Sequence, residues 1–266
     1  MPRARCRAAA LPGLARSHRR DRGRGDRRAL RRHRGGDHAV NGAPDEALVE
    51  LDAVTVRYRD EAILEGVTHS VHRGDYVTVT GRSGAGKSTL LNVIAGTVFP
   101  SAGTVRVCGH DLGRSGPRTQ AHRYAIGYLF QSAHLVSWMS VAENVLLGMR
   151  YQRVDRAEGR RRTGEALEAV GLAHRMDHRP TQLSGGERQR AALARAIARD
   201  PQVILADEPT GNLDAATGSS IIELIESLSA GRCLIVVTHD EALAARGTRR
   251  WTVGELGVHE LTRTAP

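Results

Sequence analysis

Hydrophobic and polar positions change their rhythm several times along the chain, and each change predicts an element. From Leu48 to Val56 apolar and polar residues nearly alternate and β-branched residues are frequent, the period of a half-buried strand. Tyr76-Val77-Thr78-Val79-Thr80 is a second strand-like run, and it leads without a break into Gly81-Arg82-Ser83-Gly84-Ala85-Gly86-Lys87-Ser88-Thr89. Leu90, Leu91, Ile94 and Ala95 then recur at helical spacing, so this segment reads strand, glycine loop, helix. Val203-Ile204-Leu205-Ala206 is a short unbroken apolar run ending in two carboxylates, Asp207 and Glu208. That is the pattern of a buried parallel strand delivering acids to the C-terminal edge of a sheet. Ala191, Ala194, Ile197 and Ala198 extend Ser184-Gly185-Gly186 into a helix, and a second helix from Leu213 to Ser229 places Ile221, Leu224, Ile225 and Leu228 on one face. No apolar run approaches the roughly 18 residues that a bilayer-spanning helix needs; Cys233 to Val237 is strand-sized.

Composition narrows the class. With 266 residues, 40% hydrophobic and 26% charged, the chain has room for one large globular domain or two small ones. An aromatic content of 3% weakens any reading built on base-stacking platforms. The net charge of +10 suggests nucleic acid until it is divided along the chain. Residues 1–45 hold 13 Arg against 4 Asp, which leaves 26 basic and 25 acidic residues from Glu46 onward, so the remainder is nearly neutral. The Arg-rich stretch has almost no large hydrophobes, which predicts a disordered tail or a mis-assigned start, with Val40 or Val49 as later start positions. It lacks the apolar centre of a secretory signal, and its four Asp argue against a transit peptide. Cys6, Cys108 and Cys233 form no paired framework or metal spacing; Cys108 and Cys233 lie in apolar, strand-like runs that predict small core residues.

The glycine loop fits G-x-x-x-x-G-K-[ST], the phosphate-binding loop. Gly81, Gly84 and Gly86 let the backbone turn successive N–H groups toward phosphate oxygens, with the helix N-terminus adding partial positive charge. Lys87 would reach the β- and γ-phosphates and the Ser88 hydroxyl would ligate Mg2+. Lys87 is the sole lysine beside 38 Arg, so a basic site that this composition drives to arginine everywhere else is a compact ammonium here. Asp207 would hold the Mg2+ shell through water, and Glu208 could orient the attacking water as a base, although taken alone the pair would also suit two surface acids after a strand. Leu183-Ser184-Gly185-Gly186-Glu187 before a helix offers a second phosphate cradle without a lysine. One nucleotide does not need two cradles from one chain, which predicts a dimer in which each second cradle closes on the other chain's nucleotide. A phosphate loop alone leaves kinases, GTPases, recombinases and transport ATPases open.

Together these motifs resemble the ATPase subunit of an ATP-binding cassette (ABC) transporter, over roughly residues 47 to 262. The resemblance implies an α/β fold, a RecA-like P-loop NTPase core with an antiparallel β subdomain (about 47 to 79, plus Thr104 to Val107) and a helical insertion at about 132–184. It implies ATP and Mg2+ as ligands, with Gly81, Ser83, Gly84, Gly86, Lys87, Ser88 and Thr89 around the phosphates and Tyr58 stacked on adenine. Ser88, Gln131 and Asp207 would serve the metal, and Glu208, Gln131 and His239 the hydrolysis, His239 as sensor of the γ-phosphate. Ser184, Gly185, Gly186, Glu187 and Asp214 would complete the site of the opposite chain. Taken alone, Gln131 and His239 read as ordinary loop residues. The chain departs from the family at Glu187, where Gln is commonest. It departs again after His239, where Arg246-Gly247-Thr248-Arg249-Arg250 and Gly254-Glu255-Leu256-Gly257 replace an Asp-Arg pair and a D-G turn.

Ala206-Asp207-Glu208-Pro209-Thr210-Gly211-Asn212-Leu213-Asp214, with Ser140-Val141-Ala142-Glu143-Asn144-Val145, is similar to the branch that includes lipoprotein-release, macrolide- and peptide-efflux ATPases and the cell-division ATPase. By that resemblance export or extrusion is favoured over import. A homodimer, or a pair with a related ATPase subunit, would sit peripherally on the cytoplasmic face of the cell membrane beneath an integral membrane permease, with no direct nucleic-acid contact. The alternatives are a non-transport scaffold ATPase of the cell-division type and a nucleic-acid-associated cassette that uses the Arg tail. No internal repeat argues for two cassettes, and little chain remains for a regulatory C-terminal domain. Arg160-Arg161-Arg162 reads as a solvated helix face.

Overall fold

The computed structural model describes residues 47–113, 125–150, 152 and 154–261. The Arg-rich stretch 1–45 lies outside the described residues. In chain order the elements are β1 (Ala47–Tyr58), β2 (Glu61–His72), β3 (Tyr76–Gly81), α1 (Lys87–Ile94), β4 (Ala102–Val107), β5 (His110–Asp111) and β6 (Ile126–Leu129). A helical stretch follows, α2 (Val141–Met149) and α3 (Arg156–Ala169), with 3-10 turns at Ala173–Arg175 and Pro180–Gln182, then α4 (Gly185–Ile197). The chain continues with β7 (Val203–Asp207), α5 (Ala215–Leu228), β8 (Cys233–Val237), α6 (Glu241–Ala244), β9 (Arg249–Gly254) and β10 (Gly257–Leu261).

Two sheets result. One is antiparallel with the order β2-β1-β4-β5; the other has the order β10-β9-β3-β8-β7-β6 and is parallel except for β10. The antiparallel layer expected over about 47–79 therefore ends with β2, and Tyr76–Gly81 belongs to the parallel sheet. The physical reason is burial on both faces: Val77 and Val79 pack into the apolar core on one side, while Thr78 and Thr80, buried on the other, donate to the Ala244 and Trp251 carbonyls at 2.8 and 3.3 Å. Cys233 opens β8, fully buried as expected. Cys108 also packs against the core, half-buried, but from a tight turn after β4 with φ +48°, because the chain must reverse there to pair β5 with β4.

The parallel strands show why a short apolar run means strand here. Along β7, Val203 and Leu205 enter the core shared with α1 and the antiparallel sheet, while Ile204 and Ala206 enter the core shared with α2, α4 and α5. Each such buried branched side chain contributes about 1.5–3 kcal/mol. Helix α5 starts at the Asp214 cap and ends at Ser229; Ile221 and Ile225 are buried as predicted, Leu224 and Leu228 are half-buried, and Ile222 widens the stripe. On α3, Arg160 and Arg161 are exposed, and Arg161 with Arg162 hydrogen-bonds Glu158, pulling its carboxyl down to about 2. No helix among the described residues is long and apolar enough to cross a membrane.

Candidate nucleotide site

Parallel strands present their carboxyl ends on one edge, and β3, β6, β7 and β8 each end there in residues singled out above. After β3 the chain turns through residues with positive φ, +144° at Gly81, +78° at Gly84 and +100° at Gly86. At Gly81 a side chain is excluded as well, since a Cβ would stand 2.4 Å from the Val253 carbonyl oxygen of β9. Gly86 caps α1 with no side-chain hydrogen bond and no acidic residue in the first turn, so the helix N–H groups and dipole are left for an anion. Lys87 is only 8% exposed, and its Nζ donates to the Gly81 and Arg82 carbonyls at 2.9 and 2.8 Å, which lays the ammonium along the loop. Ser83 and Ser88 are exposed and Thr89 half-buried.

Asp207 is the last residue of β7 and lies in the electrostatic reach of Ser88, Lys87 and Glu208. Burial holds its carboxyl above the usual aspartate range; the charge of Glu208 adds to the shift, while Ser88 and Lys87 oppose it. Glu208 turns into the left-handed region at φ +43°, a conformation that costs a non-glycine residue about 1–2 kcal/mol. Its N–H donates to Val237 O at 2.9 Å and its own carbonyl accepts from Gly211 N at 3.1 Å, two bonds that hold the turn. The turn aims the carboxylate at His239, with Oε2 3.3 Å from Nδ1. A Cβ on Gly211 would lie 3.1 Å from the Gln131 Nε2 and 3.4 Å from the Glu208 Oε2, so this glycine leaves room for both groups to converge.

Gln131 follows β6, and Asn212 Nδ2 donates to its carbonyl at 3.5 Å. Just before it the Tyr128 and Phe130 rings stack at 4.1 Å; burial, then the charge of Asp207, pushes the Tyr128 hydroxyl well above its ordinary range. His239 follows β8 between anchored neighbours: Thr238 N donates to Val79 O at 3.0 Å, and Asp240 caps α6 by accepting from Ala242 N at 2.8 Å. The His239 side chain stays 68% exposed, open to a ligand on its outer side.

Ser184 caps α4. Its Oγ accepts from Glu187 N at 3.2 Å, and Glu187 Oε2 accepts from Ser184 N at 2.8 Å, a capping box in which Glu or Gln serves equally. The backbone N–H of Ser184, then its side chain, draws the Glu187 carboxyl below the usual glutamate range, and Arg175 at 3.4 Å adds to this. A Cβ on Gly185 would stand 3.3 Å from Leu213 Cδ2, which sets this turn against the loop that leads into Asp214. Asp214 accepts from Thr217 N at 3.0 Å and is drawn below the usual aspartate range by the Thr217 side chain and backbone. Ser184, Gly185, Gly186, Glu187 and Asp214 thus form a second cluster. Among the described residues no hydrogen bond or ion pair links it to the Lys87 loop. Tyr58 ends β1, paired with Glu61 of β2, and is 50% exposed.

Three residues at these sites went unassigned by sequence reasoning. Val253 and Thr217 matter through the glycines that approach them, which nothing in their own surroundings announces, and Thr217 also through the N–H it donates to Asp214. Gln189 was legible: it shares a helix face with Ala192, Leu193 and Ala196, and all four are buried.

The model of the ABC transporter family matches residues 64–211. The lipoprotein-releasing system ATP-binding protein LolD of Shewanella sp. (strain MR-4) is 42% identical over 216 residues, which are 78% of this chain and 94% of LolD. The macrolide export ATP-binding/permease protein MacB of Burkholderia lata is 41% identical over 77% of this chain, which spans only 31% of MacB. A dimeric ATP-binding cassette solved in a post-hydrolysis state bound to ADP and Pi is 34% identical, with a TM-score of 0.72, over 82% of this chain and 100% of that one.

Proposed function

The chain belongs to the ABC transporter family and is the ATP-binding, ATP-hydrolysing subunit of such a transporter; from that premise we propose that two copies close on two molecules of MgATP beneath a separate membrane permease and drive export. In this reading residues 46–266 are the ATP-binding domain, with a helical subdomain at about 132–184, attached peripherally at the cytoplasmic face of the cell membrane. The dimeric cassette with ADP and Pi supports pairing of the two chains, and LolD and MacB support a membrane partner and outward transport.

Tyr58 stacks on adenine. The Gly81 to Thr89 loop, Ser83, Gly84 and Gly86 included, receives the phosphates on backbone N–H groups, while Lys87 exchanges the Gly81 and Arg82 carbonyls for phosphate oxygens, stronger charge-assisted partners. The Ser88 hydroxyl, the Asp207 carboxylate and the Gln131 amide oxygen are the hard oxygen donors that suit Mg2+, which keeps several waters and shares its shell with phosphates. Burial of Asp207 fits the same ion, because a carboxylate short of solvation gains most from a cation. When bound, Mg2+ supplies charge neutralisation across the β- and γ-phosphates.

The observation that carries the hydrolytic reading is the 3.3 Å contact between Glu208 and His239 beside Gln131. Glu208 accepts the proton of the attacking water, and His239 on its outer side meets the γ-phosphate. Ser184, Gly185, Gly186, Glu187 and Asp214 close the opposite chain's site, so ATP bound at both cradles favours the closed dimer and hydrolysis releases it.

The test uses two variants of the full chain. Glu208→Gln should bind ATP and run as a dimer in light scattering with ATP, while Lys87→Ala should stay monomeric and lose about 1.5–3 kcal/mol of ATP affinity, roughly 10- to 150-fold. ATP turnover close to normal in both variants overturns these assignments. Export is tested with the wild-type chain and its permease in inside-out vesicles: ATP-driven uptake of the permease's substrate supports it, and ATP-driven loss overturns it.

A further inference from the structure

The loop that carries Gln131 is held from both sides by one helix, the helix that Ser184 caps. Gln189, 4% exposed on α4, donates from Nε2 to the Phe130 carbonyl at 3.0 Å, the peptide bond that enters Gln131. Two turns on, Arg195 donates from NH2 to Ala133 O at 2.7 Å and from NH1 to His134 O at 2.6 Å. The Gln131 peptide thus lies between anchors on α4 upstream and downstream, while its side chain reaches the gap beside Gly211 and Glu208. A primary amide buried to this extent, bonded to a main-chain carbonyl of a loop, is costly to leave unpaired and so constrains that loop strongly.

We propose that Gln189, seconded by Arg195, is a positioning residue for Gln131, making the Gln131 loop and the Ser184 cradle one rigid body. This inference rests on the role of Gln131 proposed above. Its consequence is that a chain whose Ser184 cradle has closed on the partner's nucleotide carries its own Gln131 into register with Glu208. Readiness for hydrolysis in one site then depends on closure by the same chain at the other.

The experiment is a double-mutant cycle in the full chain, with Gln189→Met, which keeps the length and removes the donor, and Gln131→Ala, read as kcat and KM for ATP turnover. Gln189→Met should lower kcat by roughly fivefold or more, the loss of about one buried hydrogen bond, with KM unchanged. The double variant should turn over no more slowly than Gln131→Ala alone. Multiplying losses in the double variant, or a wild-type kcat for Gln189→Met, overturns the proposal. A wild-type kcat for Gln131→Ala overturns instead the reading of Gln131 on which it rests.

Should Gln189→Met melt far below wild type, Gln189→Glu serves in its place. A carboxylate facing the Phe130 carbonyl repels it, whereas a protonated carboxyl donates to it, and burial raises the pH at which that proton is held. The kcat of Gln189→Glu relative to wild type should therefore climb as pH falls from about 8 to about 6. A flat ratio across that range overturns the proposal, and so does a ratio that only tracks the melting temperature of Gln189→Glu, because a buried carboxylate also loosens the fold when it ionises.

Discussion

Gly186 lies so close to Thr217 that a Cβ on it would stand 2.6 Å from the threonine Cγ2. The glycine at the head of α4 is therefore required by packing within one chain, against the first turn of α5, before any partner is considered. Gly186→Ala should destabilise the fold by about 1–3 kcal/mol through overpacking. Adding Thr217→Ser removes the offending methyl and keeps the hydroxyl, so most of that loss should return. Urea melts of the two variants check this, and a Gly186→Ala chain as stable as wild type would refute the packing argument.

Glu187 acts locally through the capping box with Ser184. Gln at this position can accept the same N–H, so Glu187→Gln should change stability at neutral pH by less than about 0.5 kcal/mol, whereas Glu187→Ala should cost about 1 kcal/mol. The carboxyl is drawn down in the fold, so its contribution is present above the unfolded glutamate value and is lost as pH falls through the folded one. Glu187→Gln should flatten that acid limb. Thermal melts at neutral and acid pH compare the three chains.

Asp207 has the opposite sign. Burial raises its carboxyl, so the folded chain binds this proton at a higher pH than the unfolded chain does. Its contribution is fully favourable only below the unfolded value of about 3.9 and is lost as pH rises through the folded value. Without nucleotide and metal, Asp207→Asn should therefore melt above wild type at neutral pH, with the gap closing as pH falls toward about 4. A lower melting temperature at neutral pH would count against burial as the dominant cause.

The β9–β10 hairpin turns on Glu255 and Leu256 with φ +46° and +67°, the signs of a type I′ turn, between the paired Gly254 and Gly257. Neither residue suits that backbone. Replacing the pair by Asn-Gly should raise stability by about 1–2 kcal/mol, read in equilibrium denaturation. The Leu256 carbonyl, which accepts from Glu65 N at 2.6 Å, is retained in the replacement. An unchanged or lower stability would show that the left-handed conformations cost nothing here.

Legibility of the fold followed burial on one or two faces. Val203–Asp207 and Cys233–Val237 are apolar on both faces and announce themselves, as does the Ile221 and Ile225 face of α5. The long β2 (Glu61–His72) falls inside the antiparallel layer expected over about 47–79 but was not delimited as a strand of its own, because its buried positions are irregularly spaced and its pairing with β1 shifts register between Leu51 and Val54 and again near Val56. Tyr76–Gly81 was legible as a strand but not as a member of the parallel sheet, since pairing with β8 and β9 involves residues more than 150 positions away. Cys108 packs against the core as expected but from the turn after the strand, because a left-handed backbone leaves no mark in an apolar run.

The sequence by itself picked out the candidates for the chemistry: a glycine loop with the chain's sole lysine, two acids at the end of an apolar strand, and a serine and two glycines before a helix. Those choices are local, set by residue type and spacing, whereas the glutamine and the histidine were reached only through the family resemblance. Only the tertiary structure decided their relations, namely that Glu208 faces His239 at 3.3 Å, that Gly81 yields to Val253 and Gly186 to Thr217, and that Gln189 holds the peptide before Gln131. These are contacts between elements far apart in the chain. They depend on which strands pair and which helices pack, and no window of sequence contains both partners.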